Sequence, residues 1–312
     1  MPACLRVSHP TLIALDWGTS NLRASLLGAG GAVLATRSAA AGVMAVPERR
    51  FDQALQSLCG DWLSTQRAGC ACIASGMIGS RQGWVEAPYL QCPAGPLQAA
   101  QQLTTVDFGA GHRLYIVPGL RCVGRDGQTD VMRGEETQLW GAGLAPGTCC
   151  VLPGTHSKWA WLGDDDCVQT FQTWMTGELY ALLTQYGILG RLMQFGGAFD
   201  SAAFDDGVQL GMRHHAELPH TLFAARTAGL MGQRSAQALP DFLSGLLVGA
   251  EVAGARRHPD ATRVTLLGDG ALCDRYARAL QAAGVAVLRA ASGATTRGQW
   301  RVAQAAGLIR DG

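Results

Sequence analysis

The chain has 312 residues, is 48% hydrophobic and carries a formal net charge of +1 at pH 7. That length and apolar content suffice for two lobes with substantial cores, and the near-neutral balance supplies neither the basic field of a nucleic-acid binder nor an acidic tail. The opening residues lack the apolar core of a signal peptide, and the longest apolar helical tract, residues 242–255, is too short for a membrane span and is interrupted by Glu251. A cytoplasmic enzyme that works without nucleic acid or membrane is the expectation.

Residues 12–27 read as two apolar strands joined by the polar turn Gly18-Thr19-Ser20-Asn21, with Asp16 closing the first strand and Arg23 opening the second. Gly18 lacks the Cβ that would keep an anion from the backbone, and Thr19, Ser20 and Asn21 surround it with side-chain donors. A carboxylate at Asp16 suits a hydrated Mg²⁺, which keeps most of its waters and takes one or two carboxylates. Residues 32–36 continue as a third strand, 51–66 have helical spacing through Phe51, Leu55, Leu58, Trp62 and Leu63, and 70–74 return as a buried strand. The glycine-rich loop 75–84 follows at that strand's carboxyl end, where ligands of open α/β sheets bind. Ser80 and Arg81 are donors there for hydroxyls or a carboxylate, with Gly79 beside them and the rings of Trp84 and Tyr89 to pack on a carbon face.

Residues 114–119 are expected as a strand ending in a turn, and 120–131 as a polar loop. The segment 134–144 is helical by spacing, with Glu135 and Glu136 in its first turn, a position that the helix dipole favours for acids. A second apolar strand then runs into Gly154-Thr155-His156-Ser157-Lys158, so each half of the chain offers one glycine turn, as facing lobes clamping a polyphosphate need. Lys158 is the sole lysine of the chain, a compact point charge able to follow a moving phosphate where arginine would impose a planar fork. Strands at 159–162 and 168–171 flank an acidic turn, Asp164 to Asp166. A helix begins near Thr176-Gly177-Glu178, and helical patterns cover 198–212, 218–234 and 239–257; in the last, Gly245, Gly249 and Gly254 permit close packing. Strand 264–267 ends in Gly268-Asp269-Gly270 and leads to helix 271–282, a short strand 285–288 and a closing helix 296–308. The ten cysteines include no Cys-x-x-Cys pair, and reduced cysteine in apolar strands behaves as a small hydrophobe.

The stretch from Asp16 to Arg23, Gly154 to Trp159, and Val131-Met132-Arg133-Gly134-Glu135-Glu136-Thr137-Gln138 together resemble the 2-dehydro-3-deoxygalactonokinase family of the sugar kinase/actin/Hsp70 superfamily. The resemblance runs over nearly the whole chain. It implies an α/β, two-lobed ribonuclease-H-like ATPase fold of the actin/hexokinase type with an interlobe cleft. The lobes are expected at residues 1–132 and 133–312, with helix 296–309 near the hinge. It implies ATP and Mg²⁺ as cofactors and a small sugar acid, 2-dehydro-3-deoxy-D-galactonate, as the acceptor phosphorylated at O6 in galactonate catabolism.

By the same resemblance Asp16 holds the metal, and Gly18 to Asn21, Arg23, Gly154, Thr155, His156 and Ser157 hold phosphates. Gly268, Asp269 and Gly270 then receive adenosine, while Gly79, Ser80, Arg81, Trp84, Tyr89, Thr176 and Glu178 line the sugar. Related hexokinases use an aspartate at the start of the interlobe helix as proton acceptor. Here Glu136 is the first choice for that role, Glu135 the second and His156 an outside one, with Lys158 steadying the transferred phosphoryl group. A kinase for another 2-keto-3-deoxy sugar acid and a non-catalytic sugar or ATP sensor are the alternatives; a homodimer is left open.

Overall fold

A computed structural model describes residues 11–65, 70–109, 111–124, 127–258, 261–268 and 270–309. The chain divides into two compact units, one of Met1–Pro146, Leu162–Thr170 and Gly293–Gly312, the other of Gly147–Trp161 and Phe171–Ser292.

The first unit begins with β1 (Leu12–Trp17), β2 (Leu22–Leu27), β3 (Val33–Ala39), α1 (Phe51–Thr65) and β4 (Ala71–Ser75). It continues through β5 (Tyr89–Gln91), α2 (Pro96–Ala100), β6 (Thr104–Phe108), β7 (His112–Ile116), β8 (Gly119–Val123), β9 (Thr129–Met132) and α3 (Glu135–Gly141). Its main sheet has the order β3-β2-β1-β4-β7-β6; β1 and β2 are antiparallel, while β4 joins β1 and β7 joins β4 in parallel. Leu12, Ile13, Ala14 and Leu15 are all buried, as a central strand covered on both faces requires. Phe51, Leu55, Cys59, Trp62 and Leu63 recur at helical spacing and press α1 onto that sheet. Phe51 and Leu55 are essentially fully buried, each stabilising the unit by roughly 1.5–3 kcal/mol.

Two expectations change here. The strand expected at 114–119 divides at Pro118, which has no N–H for the ladder: Val117 N donates to Ala74 O at 2.8 Å, and β8 starts at Gly119 in another sheet, ordered β5-β8-β9. Most of the expected loop 120–131 is a hairpin of that sheet, β8 pairing with β9 from Leu120↔Met132 to Val123↔Thr129. Leu120 and Cys122 point inward while Arg121 and Val123 are exposed, a two-residue period hidden by the polar character of the outward positions.

The second unit comprises β10 (Cys149–Leu152), all but the last residue of β11 (Ser157–Leu162), the part of β12 (Val168–Trp174) from Phe171 on, α4 (Thr176–Gln185), α5 (Ser201–Arg213), α6 (Leu218–Thr221) and α7 (Ala224–Leu230). Then come α8 (Leu239–Ala255), β13 (Arg263–Leu266), α9 (Ala271–Ala282) and β14 (Ala286–Arg289). Its sheet runs β12-β11-β10-β13-β14. Numbered within its unit, the second sheet has the order 3-2-1-4-5 of the ribonuclease-H-like fold, and the main sheet of the first unit shares the 3-2-1-4 part of it before continuing through β7 to an edge at β6. Gly245 and Gly249 of α8 meet α5 backbone to backbone, whereas Gly254 faces the Trp174 ring: a Cβ on Gly245 would lie 2.0 Å from Phe204 O, and one on Gly207 of α5 2.2 Å from Phe242 O.

The closing helix α10 (Ala294–Ala305) belongs to the first unit, not to the unit that precedes it in sequence. A Cβ on Gly141 would lie 1.9 Å from Ala294 O, and one on Gly298 1.8 Å from Thr137 O, so α3 and α10 touch along bare backbone. That packing carries α3 into the first unit and moves the division from the expected 132/133 to Pro146/Gly147.

Candidate active site

In the first unit, the hairpin turn 18–21 is held from behind. Gly42 N donates to Ser20 O, Val43 N to Gly18 O and Met44 N to Thr19 O, at 3.0–3.2 Å. A Cβ on Gly42 would lie 2.3 Å from Thr19 O, whereas one on Gly18 would meet nothing nearer than 3.7 Å. The tight glycine of this turn is Gly42, which sequence reading missed; Gly18 instead leaves open space above the backbone. Thr19, Ser20 and Asn21 are exposed. Asp16 sits opposite Arg23 in the β1–β2 register and beside Ser75 of β4, with its Oδ2 4.0 Å from Arg23 Nη1. Burial raises the Asp16 carboxyl above its usual range and Arg23 opposes the shift.

The first turn of α3 rests on the same end of the sheet. Gly76, at φ +94°, follows β4, and a Cβ there would lie 2.8 Å from Trp17 O; Gly134, at φ +107°, stands against Gly76 in turn. Thr137 Oγ1 and Ser75 Oγ are 3.3 Å apart, and Gln299 Nε2 donates to Ser75 Oγ at 2.9 Å and to Leu15 O at 2.6 Å. Asp16, Glu135 and Glu136 are thus assembled by one short chain of backbone contacts. The two acids differ. Glu136 is fully buried; its Oε2 accepts from Gly134 N at 2.6 Å while Oε1 has no partner. Burial, then the neighbouring Glu135 charge, push its pKa up to about 8. Glu135 is half-buried, and its Oε2 accepts from Arg133 N at 3.1 Å.

The loop after β4 places its residues unevenly. Trp84 is packed in the core among Trp17, Phe51 and Phe108, with ring centroids 5.8–6.3 Å apart. Arg81 is on the surface, paired with Glu86 at 3.0 Å, and Ser80 Oγ is turned back onto Met77 O at 2.7 Å. Gly79 and Tyr89 instead flank Arg133, whose guanidinium lies 4.3 Å from the Tyr89 ring.

In the second unit, the turn before β11 is gripped by the start of α4. A Cβ on Gly177 would lie 2.4 Å from Gly154 O, and Glu178 N donates to Thr155 O at 2.9 Å. The Glu178 carboxylate is hydrogen-bonded to His156 Nε2. Beneath the turn, Glu251 of α8 is buried and accepts on Oε1 from Ser157 Oγ and Trp159 Nε1 (2.8 Å) and on Oε2 from Thr176 Oγ1 and Tyr276 OH (2.6 Å). Burial raises the Glu251 carboxyl, and these donors pull it back. Of the two residues expected on the sugar, Glu178 engages His156 and Thr155 of this turn, while Thr176 bonds Glu251, the acid that also holds Ser157. Lys158 is buried, with Nζ 3.5 Å from His156 O.

A cavity of about 260 Å³ lies between this turn and α9: Gly154, Thr176 and Gly177 on one side, Ser244 and Val248 of α8 below, Leu272, Arg275 and Tyr276 of α9 on the other. Gly268 and Gly270 have φ of +125° and +78°, and Gly270 caps α9; Asp269 lies outside the described residues.

A family model described as 2-keto-3-deoxy-galactonokinase matches residues 16–302. The chain belongs to that family. It is 40% identical to the 2-dehydro-3-deoxygalactonokinase of Escherichia coli K12 over 277 residues, 87% of this chain and 90% of the relative. The crystal structure of a Sinorhizobium meliloti protein carrying the same designation superposes with a TM-score of 0.86 at 37% identity, covering 94% of this chain and 98% of that one.

For a galactonokinase-family chain, Mg²⁺ as the expected cofactor fits the donors present. Among the described residues no cluster of three or more His, Cys, Asp or Glu could enclose an ion, whereas one desolvated carboxylate, Asp16, suits Mg²⁺ that shares its coordination with phosphate oxygens and water. The described cysteines are all free; the Asp164 to Asp166 turn is structural, with Asp166 2.9 Å from Arg301. No described helix is long and apolar enough to cross a membrane. Three residues that support the site carried no local signal: Gly42, Gln299 and Arg133. Glu251 was visible only as an acid interrupting an apolar helix.

Proposed function

We propose that the protein is an ATP-dependent kinase, acting in the cytoplasm, that phosphorylates O6 of 2-dehydro-3-deoxy-D-galactonate. The observation carrying this reading is the convergence of Asp16, Glu135 and Glu136 on one end of the first sheet through Gly76 and Gly134. Phosphoryl transfer to an alcohol needs a cation site, a carboxylate for the hydroxyl proton and donors for the moving phosphoryl group.

Asp16 would hold Mg²⁺, which neutralises charge on the phosphate oxygens. In the first unit the turn 18–21 offers backbone N–H groups and hydroxyls suited to phosphate oxygens; in the second unit the turn 154–157 offers the same groups and Lys158 adds a positive charge. The cavity from Gly154 to Leu272 would take the adenosine. As the acceptor O6 attacks the γ-phosphorus, its bond to the β,γ-bridging oxygen breaks, ADP leaves and the O6 proton passes to a carboxylate. Glu135 is the better acceptor. A general base must come within hydrogen-bond reach of the proton, and Glu136 is fully enclosed.

A coupled ADP-release assay with 2-dehydro-3-deoxygalactonate, with related 2-keto-3-deoxy acids as comparison, tests the reading. Turnover specific to the galactonate derivative is expected. Nucleotide binding with no ADP release on any acid would overturn it.

A further inference from the structure

Arg133 follows β9 and immediately precedes Gly134. Only one of its side-chain nitrogens is used: Nη2 donates to Ala87 O at 2.7 Å, while Nε and Nη1 are buried without any hydrogen-bond partner. A buried unpaired guanidinium is costly, because desolvation is not offset by bonds to the charge. The neighbouring acids make no hydrogen bond to Nε or Nη1, although the Arg133 charge acts on Glu136. Glu135 accepts from the Arg133 backbone N–H, and Glu136 Oε2 is bonded to Gly134 N with Oε1 unpartnered.

What surrounds the guanidinium is the loop that follows β4. A Cβ on Gly79 would lie 2.9 Å from Arg133 Nη1, Ala87 provides the one acceptor, and the guanidinium carbon is 4.3 Å from the centre of the Tyr89 ring. The other arginines of this region are occupied. Arg81 is paired with Glu86 at 3.0 Å on the surface. Arg49 spends its fork on the carbonyls of Arg81, Gln82 and Gly83 and so clamps the loop.

We propose that Arg133 is the specificity-determining residue that recognises the substrate carboxylate, receiving it in a pocket formed with Gly79 and Tyr89. The inference rests on the sugar-acid kinase reading and deepens it. Arginine's planar fork matches a carboxylate bidentately, and Nε and Nη1 form one edge of that fork on which no hydrogen bond is made. Tyr89, about 36% exposed, is the ring that turns aside to admit it. Gly79 lets the guanidinium lie close to the loop, since a Cβ there would crowd Nη1 at 2.9 Å.

The test compares 2-dehydro-3-deoxygalactonate with its primary amide, which keeps every hydroxyl and removes the charge, on the wild type, Arg133→Met and Arg133→Lys. The ratio of kcat/KM for acid over amide is read within each folded protein, so it does not depend on yield or stability. The wild type is expected to favour the acid by at least tenfold. R133M should lose most of that preference through a raised KM for the acid, and R133K should retain part of it. An unchanged ratio in R133M, or equal losses on acid and amide, overturns the proposal and leaves the kinase reading intact. A wild type that phosphorylates neither compound overturns the functional reading and this inference with it.

Discussion

Gly134 stands against Gly76: a Cβ on Gly134 would lie 3.2 Å from the Gly76 Cα, and one on Gly76 2.8 Å from Trp17 O. Through this contact the first turn of α3, with Glu135 and Glu136, is seated on the end of β1 that carries Asp16. Both glycines have positive φ, so side chains are excluded by conformation as well as by space. Gly76→Ala is expected to cost roughly 1–3 kcal/mol of stability and to lower kcat/KM more than tenfold. Urea denaturation and the ADP-release assay on the same preparation check both parts; undiminished turnover would mean that the contact is not what seats α3.

Burial separates the two acids of α3. Glu135→Gln is expected to lower kcat by roughly 10²–10⁴, the range for losing a general base, with little change in substrate KM. Glu136→Gln, which mimics the protonated carboxyl, should stay within about threefold of wild type. The opposite ranking would assign proton acceptance to Glu136.

The same burial gives a pH signature. With the Glu136 pKa raised to about 8 from an ordinary 4.5, its stabilising contribution is complete below about 4.5, where folded and unfolded chains both hold the proton. Between 4.5 and about 8 the unfolded chain ionises while the folded one does not, so the contribution falls as pH rises and is lost above about 8. E136Q is neutral throughout and lacks that slope. Calorimetry from pH 5 to 8 should show the melting temperature of the wild type falling relative to E136Q; parallel profiles would contradict a buried neutral acid.

Glu251 gathers Ser157, Trp159, Thr176 and Tyr276 beneath the turn at 154–157. Glu251→Leu keeps the volume but strands those donors, and unsatisfied buried groups cost about 1–3 kcal/mol each before relaxation. A loss of roughly 2–5 kcal/mol is expected, with a raised KM for ATP and a smaller change for the sugar acid. Glu251→Gln should fall between. If E251L alters stability alone, Glu251 supports the fold without positioning the turn.

Helix propensity favours alanine over glycine by about 1 kcal/mol, which by itself would make Gly245→Ala stabilising. The Cβ would stand 2.0 Å from Phe204 O, and forcing α5 and α8 apart costs typically 1–3 kcal/mol. A net loss of stability is therefore expected. Thermal melts of G245A and of Gly232→Ala, where the surroundings are open but φ is +64°, distinguish contact from backbone strain.

The local chemistry of the two hairpin turns was readable from sequence, because apolar strands flanking a glycine and donors form a pattern within a dozen residues. The helices at 51–65, 239–255 and 271–282 were equally plain, their apolar positions recurring at the helical period. Only the tertiary structure could decide which residues share a site. The return of α10 to the first unit, the bracing of turn 18–21 by Gly42, and the four donors collected by Glu251 all join positions remote in sequence. Packing sets them, and packing leaves no periodic trace. Glu135 and Glu136 are adjacent and chemically alike, yet one is enclosed and the other within reach. Arg133 appears in sequence as one arginine among many; its two unpaired nitrogens exist only because the loop after β4 folds over it.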